Sequence, residues 1–519
     1  MKKVIAIVVV VLVVCLIGRG LTKRSSKKLQ IFILAGQSNM VGHAKYITIP
    51  DLMTVDDPHA KALAKLLFKE GAIAPGMARD QIETRFKRDD LARELDQGKI
   101  AGDKEIATAE AELKKLQGEY DAKSEKIKDA FSISEHVYIS SIADGNCRSG
   151  PLTMGYGGDE NAIGPELGFG FGLEQEMDAP ILLIKTSWGG KTLHYDFRPP
   201  SAGPYPFNED QKKFETEAYK SAWVKDNEEY RKVWSPKSKK AIAAFWVEHN
   251  KFMVANLSKD RYVEWQKEAA EWHQSCVNAS NGGPDTLTPW KVWGLERKAQ
   301  TYFKGTETKA PEMNYNKTLW KERPALAKAP TAESLRQKSG YFYREMNTAV
   351  HNVLKDLKKY HPEYDEKAGY EIAGFVWFQG FNDQFAESCY GNYRDNMIAF
   401  IKDIRKEYEI ADLPFVIGVL GTAGTKENVD KHPVSIAQRQ AAAAPEFNAN
   451  VVSVESVPFA ETKALEMWGN RTWNTPENRV EFSLIASEKP YHYMGSGKLF
   501  TRFGDAMAGA MGELIEKKK

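Results

Sequence analysis

Five apolar runs limit what this chain can fold into more than any other feature: Leu29–Ala35, His136–Ile142, Ala179–Ser187, Ile372–Phe378 and Pro414–Leu420. Each is short and almost continuously hydrophobic, the pattern of a strand buried on both faces. Val451–Val457 is a sixth candidate. Helical patterns follow several of them. Met397, Phe400, Ile401 and Ile404 recur at helical spacing, and Leu499, Phe503, Met507, Met511 and Leu514 line one face of a C-terminal helix. Strand–helix alternation of this kind predicts a parallel sheet covered on both faces. A length of 519 residues would otherwise suggest several domains.

Two stretches interrupt the alternation. Residues from about 55 to 132 form the first insertion, rich in Glu, Lys and Ala toward its end. Within it Ile106, Ala109, Leu113, Leu116 and Tyr120 alternate at spacings of three and four, which predicts a helical hairpin rather than a long coiled coil. The second insertion runs from about 205 to 335 and holds Trp223, Trp234, Trp246, Trp265, Trp272, Trp290, Trp293 and Trp320. Those rings either fill the core of a helical subdomain or offer a platform to sugars.

The N-terminus carries the compartment signal. Lys2 and Lys3 precede an apolar run from Val4 to Gly18, too short for a comfortable span of ~20 residues. Residues 1–28 read as a signal peptide or N-terminal membrane anchor, ahead of one domain over 29–519. The chain is therefore expected to be exported: periplasmic, extracellular or anchored to the outer face of a membrane. A net charge of +2 offers no field for gathering nucleic acid. Cys147, Cys276 and Cys389 are scattered outside the leader, with no CxxC or Cys/His cluster. No metal site and no cofactor are expected, and one disulfide or three buried thiols both fit.

The chemistry-bearing motif follows the first run. Ile31-Phe32-Ile33-Leu34-Ala35 leads into Gly36-Gln37-Ser38-Asn39-Met40, which sets a hydroxyl at the carboxyl end of a central strand. In open α/β sheets ligands bind at that edge. Gly36 would permit a tight turn, and the amides of Ser38 and Asn39 would face the site. Ser38 read by itself could equally be a helix cap. Met40 rules out a GxSxG elbow. Further glycine–polar blocks stand at later strand ends: Trp188-Gly189-Gly190-Lys191 and Trp377-Phe378-Gln379-Gly380. Tyr491-His492-Tyr493 comes near the end, before the last helix.

Together these blocks resemble the sialate O-acetylesterase-like branch of the SGNH hydrolases, close to carbohydrate esterase family six. The resemblance spans Gly36 to the C-terminal helix and leaves out both insertions. It implies a three-layer α/β/α, flavodoxin-like SGNH-hydrolase fold with a mainly parallel central sheet and two largely helical insertions. It implies a serine esterase acting on an acetylated carbohydrate, with Ser38 as nucleophile and His492 as general base and then acid. The oxyanion hole would take the Ser38 amide, the amide of Gly190 or its neighbour Gly189, and the Gln379 side chain.

The pattern departs from the family at the triad acid. The position three before His492 is Lys489, and the residue after Gln379-Gly380 is Phe381; neither can orient an imidazole. Asp383 is the favoured third member, with Glu488 next and a dyad leaning on a backbone carbonyl as a further option. Glu166, after Gly164-Pro165, reads as a structural carboxylate. Lys191, His194, Asp196 and Arg198 lie close to the expected mouth, where they could bind substrate. Two rival readings stand beside the esterase: a non-catalytic glycan-binding protein, and an esterase for lipid or aryl esters.

Overall fold

The computed structural model describes residues 27–74, 76–206, 230–279, 289–313, 336–422, 424–447 and 449–518. The leader expected over residues 1–28 lies almost wholly outside them, as do Trp223 and Trp320. No described helix is long and apolar enough to cross a membrane.

Nine strands are present among the described residues: β1 Leu29–Gly36, β2 Ala44–Lys45, β3 Val137–Ala143, β4 Asn146–Pro151, β5 Ala162–Ile163, β6 Ile181–Ser187, β7 Tyr370–Phe378, β8 Phe415–Val419 and β9 Val451–Glu455. Seven build one sheet in the order β4-β3-β6-β1-β7-β8-β9. All neighbours in it are parallel except the β3–β4 hairpin at one edge. β2 and β5 form a separate antiparallel pair. All six apolar runs became strands of the large sheet. The architecture is the expected mixed α/β one, a mostly parallel sheet between helical layers.

The side-chain alternation of β1 shows why two layers are needed. Phe32 and Leu34 enter one core, whereas Ile31, Ile33 and Ala35 enter the other. The first core is closed by the helices Glu166–Glu176 and Gly497–Lys518, the second by Tyr341–Leu354, Tyr393–Glu407 and Pro433–Ala442. Leu499, Phe503, Met507, Met511 and Leu514 are all buried, as are Met397, Phe400, Ile401 and Ile404. Each such side chain contributes about 1.5–3 kcal/mol of burial. The Glu166–Glu176 and Gly497–Lys518 helices cross backbone to backbone. A Cβ on Gly168 would lie 1.9 Å from the Thr501 carbonyl oxygen, and one on Gly504 2.1 Å from that of Pro165.

Within the first insertion, helices Met77–Asp96 and Asp103–Asp129 pack on each other, with Ala109 and Leu116 buried at their seam. The chain divides into two compact units, Met1–Tyr205 with Arg336–Lys519, and Pro206–Leu335. In the second unit Trp265 is buried beside Met253, Tyr302 and Phe303, so this ring fills its own core. Cys147 is exposed and Cys389 buried, so the option of three buried thiols does not hold.

Candidate active site

β1 lies between β6 and β7, and its last residue, Gly36, pairs with Ser187 on one side and Phe378 on the other. A Cβ at Gly36 would stand 2.0 Å from the Phe378 carbonyl oxygen. Gly36 is therefore set by close approach of the neighbouring strand rather than by a tight turn. The chain then enters a single helical turn, Ser38–Val41, whose Met40 and Val41 amides donate to the Gln37 carbonyl. Ser38 sits at the carboxyl edge of the sheet's central strand, the edge where open α/β sheets hold ligands.

A fully buried ion pair supports this turn from below. Lys185 Nζ, on β6, donates to Glu166 Oε2 at 2.7 Å and to the carbonyls of Val41 and Tyr156 at 2.8 Å each. Glu166 Oε1 accepts from the Gly164 amide at 2.8 Å. Glu166 thus has the structural role expected of it, through a lysine rather than as a helix cap. Burial pulls the Lys185 ammonium down from its ordinary pKa, while Glu166 pulls it up.

His492 arrives on a strained turn. Tyr493, Met494 and Gly495 follow it with φ of 51°, 59° and 60°. Two of these are non-glycine residues, each costing about 1–2 kcal/mol in the left-handed region. Tertiary bonds hold them there. The Ser487 and Glu488 amides donate to the Met494 carbonyl at 2.7 and 3.0 Å. The buried Tyr493 hydroxyl accepts from the Gly421 amide at 2.8 Å and meets Ser456 Oγ at 3.0 Å. The turn packs on the Ser38–Val41 helix, where Asn39 Nδ2 donates to the Tyr491 carbonyl at 3.3 Å.

His43, just past that helix, stacks on His492 with ring centroids 4.3 Å apart and planes 16° from parallel. Burial first, and then His43, lower the His492 pKa to about 4. Burial also lowers that of His43, against the attraction of Asp144 and Glu488 and with the repulsion of Lys185 and Lys45. Both rings are therefore neutral at pH 7. His492 Nδ1 is buried without a hydrogen-bond partner.

Asp144, in the turn after β3, completes the floor. Its Oδ1 accepts from the Gly189 amide at 2.6 Å. A Cβ on Gly189 would lie 3.3 Å from Asp144 Oδ2 and 3.7 Å from the Ser38 Cβ. Four strand ends, those of β1, β3, β6 and β7, therefore converge here.

Over residues 325–479 the chain matches the family model described as carbohydrate esterase, sialic acid-specific acetylesterase. Over that stretch the chain is similar to the sialate O-acetylesterase-like family. Among solved structures it is similar to a protein from Arabidopsis thaliana determined by X-ray crystallography at 1.6 Å, at 12% identity and a TM-score of 0.31, over 88% of this chain and 95% of that one. No curated protein matches the chain.

The remaining site residues expected of a sialate O-acetylesterase-like chain are placed less simply. Asp383 is fully buried and binds elsewhere: Oδ2 accepts from the Leu193 amide and Gln379 Nε2, and Oδ1 from the His194 amide. Burial pushes its carboxyl up to about 7 against the pull of those donors. It is a loop anchor and not the acid behind His492, whose Nδ1 it does not reach. Glu488 does not take the position either; its Oε1 accepts from the Lys489 amide. No backbone carbonyl accepts from His492 Nδ1.

Gln379 needs a second correction. Its Nε2 is shared among Gln37 Oε1, the Lys191 carbonyl and Asp383 Oδ2, at 3.0, 2.8 and 2.6 Å. Its Oε1 accepts from the Tyr393 hydroxyl at 3.0 Å. An amide nitrogen with two protons and three acceptors has none left for an oxyanion. Of the two glycines, Gly189 has its amide taken by Asp144, and Gly190 follows it with φ of 71°.

The four polar residues expected at the mouth are mostly engaged inside the fold. Arg198 is buried on the carbonyls of His194, Ala202 and Gly203. His194 is buried with its Nδ1 3.1 Å from Asn396 Nδ2, and Asp196 caps Thr192. Lys191 lies over the Phe342 ring and 3.8 Å from Asp196. Among the described residues no His, Cys, Asp and Glu side chains gather as a metal-ligand group. His43 and Asp144 belong to none of the glycine–polar blocks of the sequence. The one available signal was Asp144-Gly145 directly after an apolar run, a strand-end position like those of the other blocks.

Proposed function

We propose that this protein is a serine esterase that removes O-acetyl groups from a carbohydrate through an acetyl-Ser38 intermediate. The observation that carries the reading is the contact of the Ser38 helix with the His492 turn, beside the Gly189–Gly190 turn, at the carboxyl edge of the central strand. Ser38 Oγ attacks the acetyl carbonyl carbon as His492 takes its proton. The ester C–O bond breaks, and the proton passes from His492 to the departing sugar oxygen, which leaves as a hydroxyl. Water then attacks the acetyl-serine, again with His492 as base, and releases acetate and free Ser38. The amides of Ser38 and Gly190 are the donors assigned to the oxyanion.

A neutral His492 is what this scheme requires of a base. In place of a triad carboxylate, the imidazole is held by the His43 stack and by the strained turn behind it. The basic, apolar N-terminus supports export, where glycan substrates are met.

The test is hydrolysis of p-nitrophenyl acetate by Ser38→Ala and His492→Ala. Loss of the nucleophile is expected to lower turnover by up to ~10⁶. Wild-type rates in Ser38→Ala would end the assignment. The unpartnered His492 Nδ1 favours one second reading, a glycan-binding protein without catalysis. Covalent labelling of Ser38 by an organophosphonate would exclude it.

A further inference from the structure

Three aromatic rings beside His492 take no part in the chemistry above. Phe381 and Phe385 stand on the loop after β7, and Tyr491 directly precedes the base. They form a continuous run. Phe385 meets Phe381 at 5.3 Å between centroids, Phe381 meets Tyr491 at 5.8 Å, and Tyr491 meets His492 at 4.5 Å. Phe385 is 61% exposed and Tyr491 42%. Single exposed apolar side chains need no explanation, but a connected set bordering a catalytic group marks a binding surface.

The rings are held rather than loose. Asp383, at the centre of the Phe381–Phe385 loop, is fixed by three donors. Gln37, next to the nucleophile, donates through Nε2 to Asn382 Oδ1 at 3.1 Å and accepts at Oε1 from the Asn382 amide at 3.3 Å. A surface ordered before binding loses little entropy when a ligand arrives.

We propose that this rim is a sugar subsite: a neutral pyranose ring of the acetylated glycan lies on Phe381, Phe385 and Tyr491 while its ester reaches Ser38. The proposal rests on the esterase reading above and narrows its substrate. The C–H face of a pyranose is apolar and slightly positive, and it matches the negative face of an aromatic ring. The rings meet edge to face at 81° and tilted at 44° rather than in a parallel stack. Charge selects the neutral sugar. The acid facing Tyr491 is Glu488, whereas Lys45 is paired with Asp159, Lys191 leans on Asp196 and Phe342, and Lys489 lies over the Trp468 ring. A sugar carboxylate would meet repulsion here.

The experiment compares kcat/KM of the full chain for acetylated xylo-oligosaccharide, O-acetylated sialic acid, triacetin and an octanoyl ester. The neutral glycan is expected to be preferred over the sialic acid ester. Phe385→Ala and Phe381→Ala are each expected to lower the ratio of neutral glycan to triacetin about fivefold, chiefly through KM. Tyr491→Phe, which keeps the ring, is expected to preserve the ratio. An unchanged ratio in Phe385→Ala, or preference for the sialic acid ester, overturns the proposal. A loss confined to the octanoyl ester overturns it in favour of an acyl-chain site. A wild type that cleaves triacetin but neither sugar ester strikes instead at the functional reading itself.

Discussion

Replacing Lys185 by Met removes a cation from a site that water does not reach. Lys185 and Glu166 side chains are both 0% exposed, and their charged atoms are 2.7 Å apart. Without the ammonium, Glu166 keeps only the Gly164 amide at 2.8 Å. Breaking a buried ion pair from one side costs about 3–5 kcal/mol. The Val41 carbonyl loses its donor in the same step, at about 1–3 kcal/mol where no other partner replaces it, whereas the Tyr156 carbonyl keeps the Ser141 hydroxyl. These terms overlap, so the expected loss is about 5 kcal/mol. At about 2 °C per kcal/mol for a domain of several hundred residues, Tm falls by ~10 °C. The assay is thermal and urea denaturation of the single variant and of Lys185→Met/Glu166→Met. The double variant replaces both charges by apolar groups, so it is expected to recover more than half of the loss. A melting point within 2 °C of wild type for Lys185→Met, or a double variant no better than the single, would refute the argument. Val41 closes the turn that begins with Ser38, so kcat of the single variant at 20 °C is expected to fall more than KM rises.

Other expectations are equally specific. The His492 pKa of about 4 keeps the base neutral above that value, so kcat/KM is expected to hold from pH 8 down to pH 5 and to fall as pH drops through about 4. An acid limb centred near 6.5 would contradict the burial and His43 effects. Gly36→Ala drives a methyl into the Phe378 carbonyl, so it is expected to yield insoluble protein or a melting point lower by at least that of Lys185→Met. Asp144→Asn exchanges a charged acceptor at the Gly189 amide for a neutral one. It is expected to lower kcat about tenfold with KM little changed, less than the ~10²–10³ of deleting an oxyanion donor. Steady-state kinetics at pH 7 decide it.

The six long strands were legible because each is a run that must be buried on both faces. β4 was not, because Asn146–Pro151 is a partly exposed edge strand with no apolar run. The two-residue β2 and β5 are too short for any periodicity to register. Lys185 stood as a lone charge inside Ile181–Ser187, a sign that something buried must pair with it. Its partner, Glu166, stands out separately for its place after Gly164-Pro165.

The residues alone determined that this chain has a parallel sheet, that Ser38 follows its first strand, and that His492 precedes its last helix. These follow from local patterns: burial needs apolar runs, and helices need their own period. Tertiary structure decided the rest of the site. Gln379 and Asp383 look available in the sequence, yet their polar atoms are consumed by Gln37, Lys191, Leu193 and His194. His43 reaches His492 across 449 positions. Whether a polar group is free or spent depends on every neighbour within 3.5 Å, and that is set only when distant segments close on one another.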